Sequence, residues 1–159
     1  MIEEGAMEDP KVDAVMGLHV GNISAELEAG SIGYSYSSLM ACLDRFKIRV
    51  VGKGAHGAYP ELSVDPVAIA SQLVVNLQQI VSREIPPSTP AVVTIGKIHG
   101  GTAYNIIPDV VELEGTVRAL DQKVREYIAN RIEEIAKGVT SGMRAKCEYE
   151  YVFGYPPLV

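Results

Sequence analysis

Cysteine is scarce in this chain: only Cys42 and Cys147 carry a thiol, far apart, with no CxxC pair and no histidine at zinc-finger spacing. That excludes a disulfide framework, and leaves two small buried hydrophobes in a reducing compartment as the simplest role. Basic residues are in the minority, 14 Lys and Arg against 20 Asp and Glu. This balance offers no footprint for a phosphate backbone and no polybasic patch, so neither nucleic acid nor a membrane is expected as a partner. No apolar run approaches the roughly 18 to 20 residues that span a bilayer. The start MIEEGAMEDP is acidic where a signal peptide is basic and then apolar. A cytoplasmic protein is expected.

What is present is ordinary for a folded domain. Hydrophobic residues make up 47% and charged residues 21% of 159, enough for one domain with a real core, or one domain and a fragment of another, but not for two of full size. Residues 1–40 read apart from the rest. They hold an acidic start, an apolar stretch from Ala14 to Val20 with the pattern of a strand, and a Gly- and Ser-containing connection through Gly21, Gly30, Gly33 and Ser35. No amphipathic period there could close a core, so the segment is expected to be the edge of another domain.

From about residue 41 the pattern becomes regular. Phe46, Ile48 and Val50 alternate with Lys47 and Arg49 as in a half-buried strand. Gly52, Gly54 and Gly57 break it. Asp65 and Pro66 supply an N-cap and a first-turn proline, and Ile69, Leu73, Leu77 and Ile80 then recur at helical spacing through about Arg83. The run Val92 to Ile95 predicts a second strand, closed by Gly100 and Gly101. Val111, Leu113 and Val117 alternate with polar residues in a third. Asp121 can cap a helix with Val124, Ile128, Ile132, Ile135 and Val139 on one face, and Cys147, Tyr149, Tyr151 and Phe153 mark a last strand. Strand, helix, strand, strand, helix, strand is the split βαβ, ferredoxin-like α+β arrangement, with both helices on one face of a four-stranded antiparallel sheet. The boundaries expected are 1–40 for the edge fragment, 41–155 for the ferredoxin-like domain and 156–159 for the return of the chain. This superfold hosts many activities, so function must come from particular residues.

Three histidines can be weighed one at a time. His19 ends the apolar stretch, where it could hold a metal or be a satisfied strand-end residue. His56 lies between Gly54 and Gly57, and such glycines let backbone approach a ligand while leaving the imidazole uncovered. His99 precedes Gly100 and Gly101, where a structural role is the simpler one. Asn105 follows a tight turn, and Arg118 projects from the polar face of the third strand. An amide and a guanidinium together suit a carboxylate, although a turn-forming Asn and a solvated Arg would look the same.

Taken in order, these segments resemble the zinc amidohydrolase family that includes carboxypeptidase G, hippurate hydrolase, N-acyl amino acid amidohydrolases and auxin-conjugate hydrolases. The resemblance runs through Met1 to Gly5, Gly17 to Val20, Gly52 to Gly54 with His56 to Ala58, and Val64 to Pro66. It continues through Gly96 to Ile98 with Gly100 to Ala103, Asn105 to Pro108 and Glu114 to Arg118. It implies that a catalytic domain carries two divalent metals per site, zinc first, with manganese, cobalt or nickel as alternatives. It also implies that an inserted ferredoxin-like domain forms a homodimer and acts as a lid over a small N-acyl amino acid substrate. By the same resemblance, His19 matches a metal ligand, His56 the lid histidine that polarises the scissile carbonyl in the partner subunit, and Asn105 and Arg118 residues that hold the substrate carboxylate.

The family's Gly-Cys-Gly-His-Asp motif, its adjacent glutamate pair and its last histidine ligand have no counterpart here, and Glu61 stands where close relatives often carry a second histidine. The chain alone is therefore expected to bind no metal and to have no amidase activity. The alternative is a stand-alone ferredoxin-like dimer that binds a small molecule or regulates. A remnant kept only for self-association is a third reading.

Overall fold

The computed structural model describes residues 2–20 and 27–158; Met1, the start of the connection at Gly21 and Val159 lie outside the described residues. The chain divides into two units, Met1–Tyr34 and Ser35–Val159.

In the first unit, short turns follow one another. Gly5 N–H donates to the Ile2 carbonyl at 3.0 Å, Glu8 N–H to Gly5 at 3.1 Å, and Glu8 bridges to Lys11. The strand expected over Ala14 to Val20 is not formed: these residues have no regular structure, and Val15, Met16, Leu18 and Val20 are exposed. An extended run becomes a strand only when a neighbour takes its backbone groups, and none pairs with it among the described residues.

The second unit is the expected α+β sandwich. Its elements in order are β1 (Asp44–Val51), β2 (Ala55–His56), α1 (Pro66–Gln79), β3 (Ala91–Gly100), β4 (Ile106–Ile107), β5 (Val110–Ala119), α2 (Gln122–Gly142) and β6 (Lys146–Phe153). The main sheet has the order β3-β5-β1-β6, antiparallel throughout. Alternation sends Phe46, Ile48, Val50, Val111, Leu113 and Val117 to one face, where Ile69, Leu73 and Leu77 of α1 and Ile128, Ile132 and Ala136 of α2 cover them. The other face is polar, and the register sets Lys97, Glu114, Lys47 and Glu150 in one row of alternating charge. Lys97 reaches Glu114 at 2.8 Å, Arg49 reaches Glu112 at 2.9 Å, and Arg49 also pairs with Glu148.

Both helices start where the sequence predicts. Asp65 accepts from the amides of Val67 and Ala68, and Asp121 from that of Val124. α1 ends earlier than its periodicity predicts, because Ile80–Glu84 widen into a π-type turn that still buries Ile80. The two helices differ in surface. α1 has no charged residue and turns Val67, Ser71, Gln72, Val75 and Gln79 outward, whereas α2 carries seven charged residues.

The beginning and end of this unit lie side by side. Leu39 N–H donates to the Leu158 carbonyl at 3.0 Å, Leu158 N–H to Met40 at 2.9 Å, and Leu43 N–H to Tyr155 at 3.2 Å. Just inside, the fully buried Asp44 accepts from Arg125 Nε at 2.8 Å and Nη2 at 2.6 Å, from Tyr151 Oη at 2.8 Å and from Gly154 N–H at 2.9 Å. Burial by itself would raise the Asp44 carboxyl, but its hydrogen bonds from Arg125, Tyr151 and Gly154 hold it below the usual carboxylate range. This clamp ties β1, α2 and the exit of β6 together.

Candidate functional site

His56 owes its position to a pinned loop. Lys53 and Val64 exchange two backbone hydrogen bonds, 2.9 and 3.0 Å, which close the segment between them, and Ser63 Oγ donates to the Pro60 carbonyl at 2.7 Å inside it. Gly52 N–H donates to the Asp109 carbonyl and Gly54 N–H to Asp109 Oδ1, both at 2.8 Å. A Cβ at Gly54 would lie 2.7 Å from the Ile107 carbonyl oxygen, so only glycine lets the two segments come this close. Two residues from each then form the β2-β4 ribbon, with His56 opposite Ile106, and Gly57 N–H donates to the Asn105 carbonyl at 2.7 Å.

The imidazole is exposed, and its Nδ1 accepts from the Ala58 amide at 3.1 Å. In the neutral ring an accepting Nδ1 places the proton on Nε2, so the outward nitrogen is a donor. Tyr59 lies against the ring at 5.7 Å between centroids. His56 and Asn105, forty-nine positions apart in sequence, are thus brought together, His56 within the ribbon and Asn105 directly before β4, where its carbonyl accepts from Gly57.

Arg118 does not join them. It sits on the polar face near the end of β5, opposite Val92, where its guanidinium donates to Thr116 Oγ1 and, at 2.9 Å, to the Val117 carbonyl. The ribbon lies beyond the other end of β5, so at about 3.3 Å per residue Arg118 is roughly 26 Å away along the strand. Two open depressions elsewhere, about 260 Å³ around Lys47 and Glu114 and about 620 Å³ around Ser88 and Lys123, are lined by none of the three.

His19 is exposed in the first unit. Among the described residues no group of three or more His, Cys, Asp or Glu could hold a metal ion. A catalytic zinc takes about three protein ligands, so the described residues do not by themselves fit a metal centre. No helix among them is long and apolar enough to cross a membrane.

Sequence reasoning did not single out Asp109, which holds the base of the His56 loop through two hydrogen bonds. Its position directly after the Asn105 to Pro108 run was the available signal. His99, opposite Glu112 on β3, is exposed and makes no further claim on the site.

The second unit is thus a four-stranded ferredoxin-like α+β sandwich with paired ends and an outward histidine-bearing ribbon. The family model of the peptidase dimerisation domain (M20_dimer) matches residues 43–142, and the chain belongs to that family. An N-acyl-L-amino acid amidohydrolase of Geobacillus stearothermophilus is 42% identical over 159 residues, covering 100% of this chain and 42% of the relative. A solved structure from methicillin resistant Staphylococcus aureus superposes with a TM-score of 0.76 at 37% identity, covering 79% of this chain and 32% of that one. A Bacillus subtilis protein described as a dinuclear metal binding peptidase of the M20 family superposes at 0.62 with 32% identity, over 79% of this chain and 30% of that one. The chain therefore spans well under half the length of the proteins it matches.

Proposed function

We propose that this chain is the dimerisation and lid portion of a metal-dependent amidohydrolase that cleaves N-acyl amino acids or related conjugates, and that each active site is shared between two subunits. The observation that carries this reading is the separation of His56 and Asn105 from Arg118. The carbonyl and carboxylate of an N-acyl amino acid are only a few bonds apart, so one chain cannot present both ends of its sheet to one substrate. Two chains can.

The flank of α1 and β3 supports the geometry. It pairs an uncharged helix surface with an edge strand whose one charge, Lys97, is engaged by Glu114. As an edge strand, β3 still presents a row of backbone groups that a second strand can pair with, on either side of a register shift between Ile95 and Lys97. Antiparallel pairing of β3 with its copy across a two-fold axis sets the Gly100 end of one chain beside the Ala91 end of the other. His56 and Asn105 of one subunit then approach Arg118 of its partner.

In this arrangement Arg118 holds the carboxylate as a bidentate donor, and Asn105 supplies a further contact to it from across the interface. His56 donates its Nε2 proton in a hydrogen bond to the carbonyl oxygen, which strengthens as that oxygen gains charge, a contribution of about 2.7 to 4 kcal/mol in comparable sites. His19 is assigned as one ligand of a divalent metal, zinc first. The two unpaired cysteines accord with a cytoplasmic enzyme.

The test uses a complete enzyme made by grafting this chain onto the catalytic portion of the Geobacillus stearothermophilus relative. His56→Ala and Arg118→Ala subunits, each inactive alone, should regain hydrolysis of an N-acyl amino acid when mixed, because each mixed dimer holds one intact site. His56→Ala mixed with Asn105→Ala should regain none, since both residues come from the same side. Recovery in the second mixture, or failure of the first after verified subunit exchange, would overturn the reading.

A further inference from the structure

Apolar surface gathers where the reactive ribbon emerges. Tyr104 is fully exposed, at 103% of its reference area, and Tyr59, Leu62 and Ile106 are each at least half exposed in the same loop pair. Isolated exposed hydrophobes need no explanation, but a group of them around an outward imidazole marks a contact surface. Tyr104 stands out within it. Its neighbours in sequence are fixed: Gly101 turns the chain with a φ of 83°, Ile106 N–H donates to the Ala103 carbonyl at 3.3 Å, and the Asn105 carbonyl is held by Gly57. The backbone is thus set while the ring has no hydrogen bond or ring partner among the described residues. A tyrosine loses little conformational freedom on binding, because two torsions describe it, and its ring offers a large apolar area.

We infer that Tyr104 is a specificity-determining residue that packs against the apolar substituent of the substrate held by Asn105 and His56. This rests on the proposed shared site. Adjacent Cα atoms are about 3.8 Å apart, so a molecule bonded to the Asn105 amide lies within reach of the neighbouring ring. His56 and Asn105 take the carbonyl and the carboxylate, and the ring beside them takes an apolar group carried between or next to these. That group is either the acyl chain or the amino-acid side chain, and both present the same chemistry to the ring.

The experiment compares Tyr104, Tyr104→Ala and Tyr104→Phe in the grafted dimer. One substrate series runs from N-acetyl to N-hexanoyl and N-benzoyl on a single amino acid, and a second runs from glycine to leucine and phenylalanine under a single acyl group. The Ala variant should lose about tenfold or more of kcat/KM for the bulky members of one series, little for its smallest member, and the Phe variant should keep the preference. The series that responds names the group in contact. Calorimetric binding of the same compounds to the grafted dimer is the second readout. If the mixed His56→Ala and Arg118→Ala subunits fail to recover activity but the bulky compound still binds more tightly through Tyr104, the shared-site reading fails and this inference stands. An equal loss across both series, or no change in turnover and binding, overturns the inference while leaving the shared site intact.

Discussion

The two flanks of the sandwich are built from the same elements, a helix over an edge strand, yet they are finished differently. On the α2 and β6 side the charges are answered from within. Arg125 holds Asp44, Arg131 holds Glu84 with Tyr127 donating to the same carboxylate, and Lys137 reaches Glu133. On the α1 and β3 side the helix has no charge to answer, and Val75 and Val92 face outward. One flank answers its charges within a single chain. The other has the composition of a surface that is covered, because interface cores are depleted of charge relative to the rest of a protein surface.

The sharpest way to break this contrast is to remove the lock on the α2 and β6 side. Asp44→Ala leaves Arg125 buried without its partner and should cost about 3 to 5 kcal/mol, read as a lower midpoint in urea denaturation. The same clamp sets a pH dependence. The folded carboxyl of Asp44 lies below its unfolded value, so its stabilisation is fully present above the ordinary carboxylate range near pH 4 and is lost as pH falls through the folded value. The Asp44→Ala protein should lack that part of the acid loss.

A charge on the unfinished side should act on association and not on folding. Val75→Lys, at a residue 66% exposed in one chain, should shift the unfolding midpoint little, within about 0.5 kcal/mol. It should weaken the proposed dimer by about 2 kcal/mol, near thirtyfold in Kd, by sedimentation equilibrium. Asn130→Lys, on the outward side of α2, serves as the matched control and should leave the dimer unchanged. Equal weakening by both would remove the distinction between the flanks.

The smallest effect compares the caps. Asp65→Ala and Asp121→Ala should each cost about 1 kcal/mol, with Asp65 the larger because it accepts from two amides where Asp121 accepts from one. Thermal unfolding of the two variants side by side would show the order.

These elements were legible because their periods are long enough to register. Phe46, Ile48 and Val50, or Ile69, Leu73 and Leu77, each repeat a face several times before a breaker intervenes. The β2-β4 ribbon was not, since two residues per strand carry no period and the partners come from distant segments. His56 and Asn105 could be picked out one at a time from their glycine surroundings, but their union depends on that ribbon. The distance to Arg118 depends on the length and direction of β5, which spacing in sequence does not convey. Asp44 and Arg125 read as ordinary charges at the start of a strand and in the first turns of a helix. Only the packed structure shows that each is the other's reason for being buried. The strand expected over Ala14 to Val20 failed for the opposite reason, a good local pattern with no neighbour to pair with among the described residues.

The hydrogen bonds that join Leu39 and Met40 to Leu158 bear on how such a module travels between proteins. A polypeptide that carried it as an insertion would meet it as a short turn, since both crossings occur at one place. By the logarithmic dependence of ring closure on length, replacing the open span from Leu39 to Leu158 with a contact of a few residues spares the surrounding fold about 3 kcal/mol of chain entropy. The carrier could therefore fold almost as if the insertion were absent, and the insertion could diverge in sequence, or be exchanged for another of the same plan, without reopening the question of how the carrier itself is assembled.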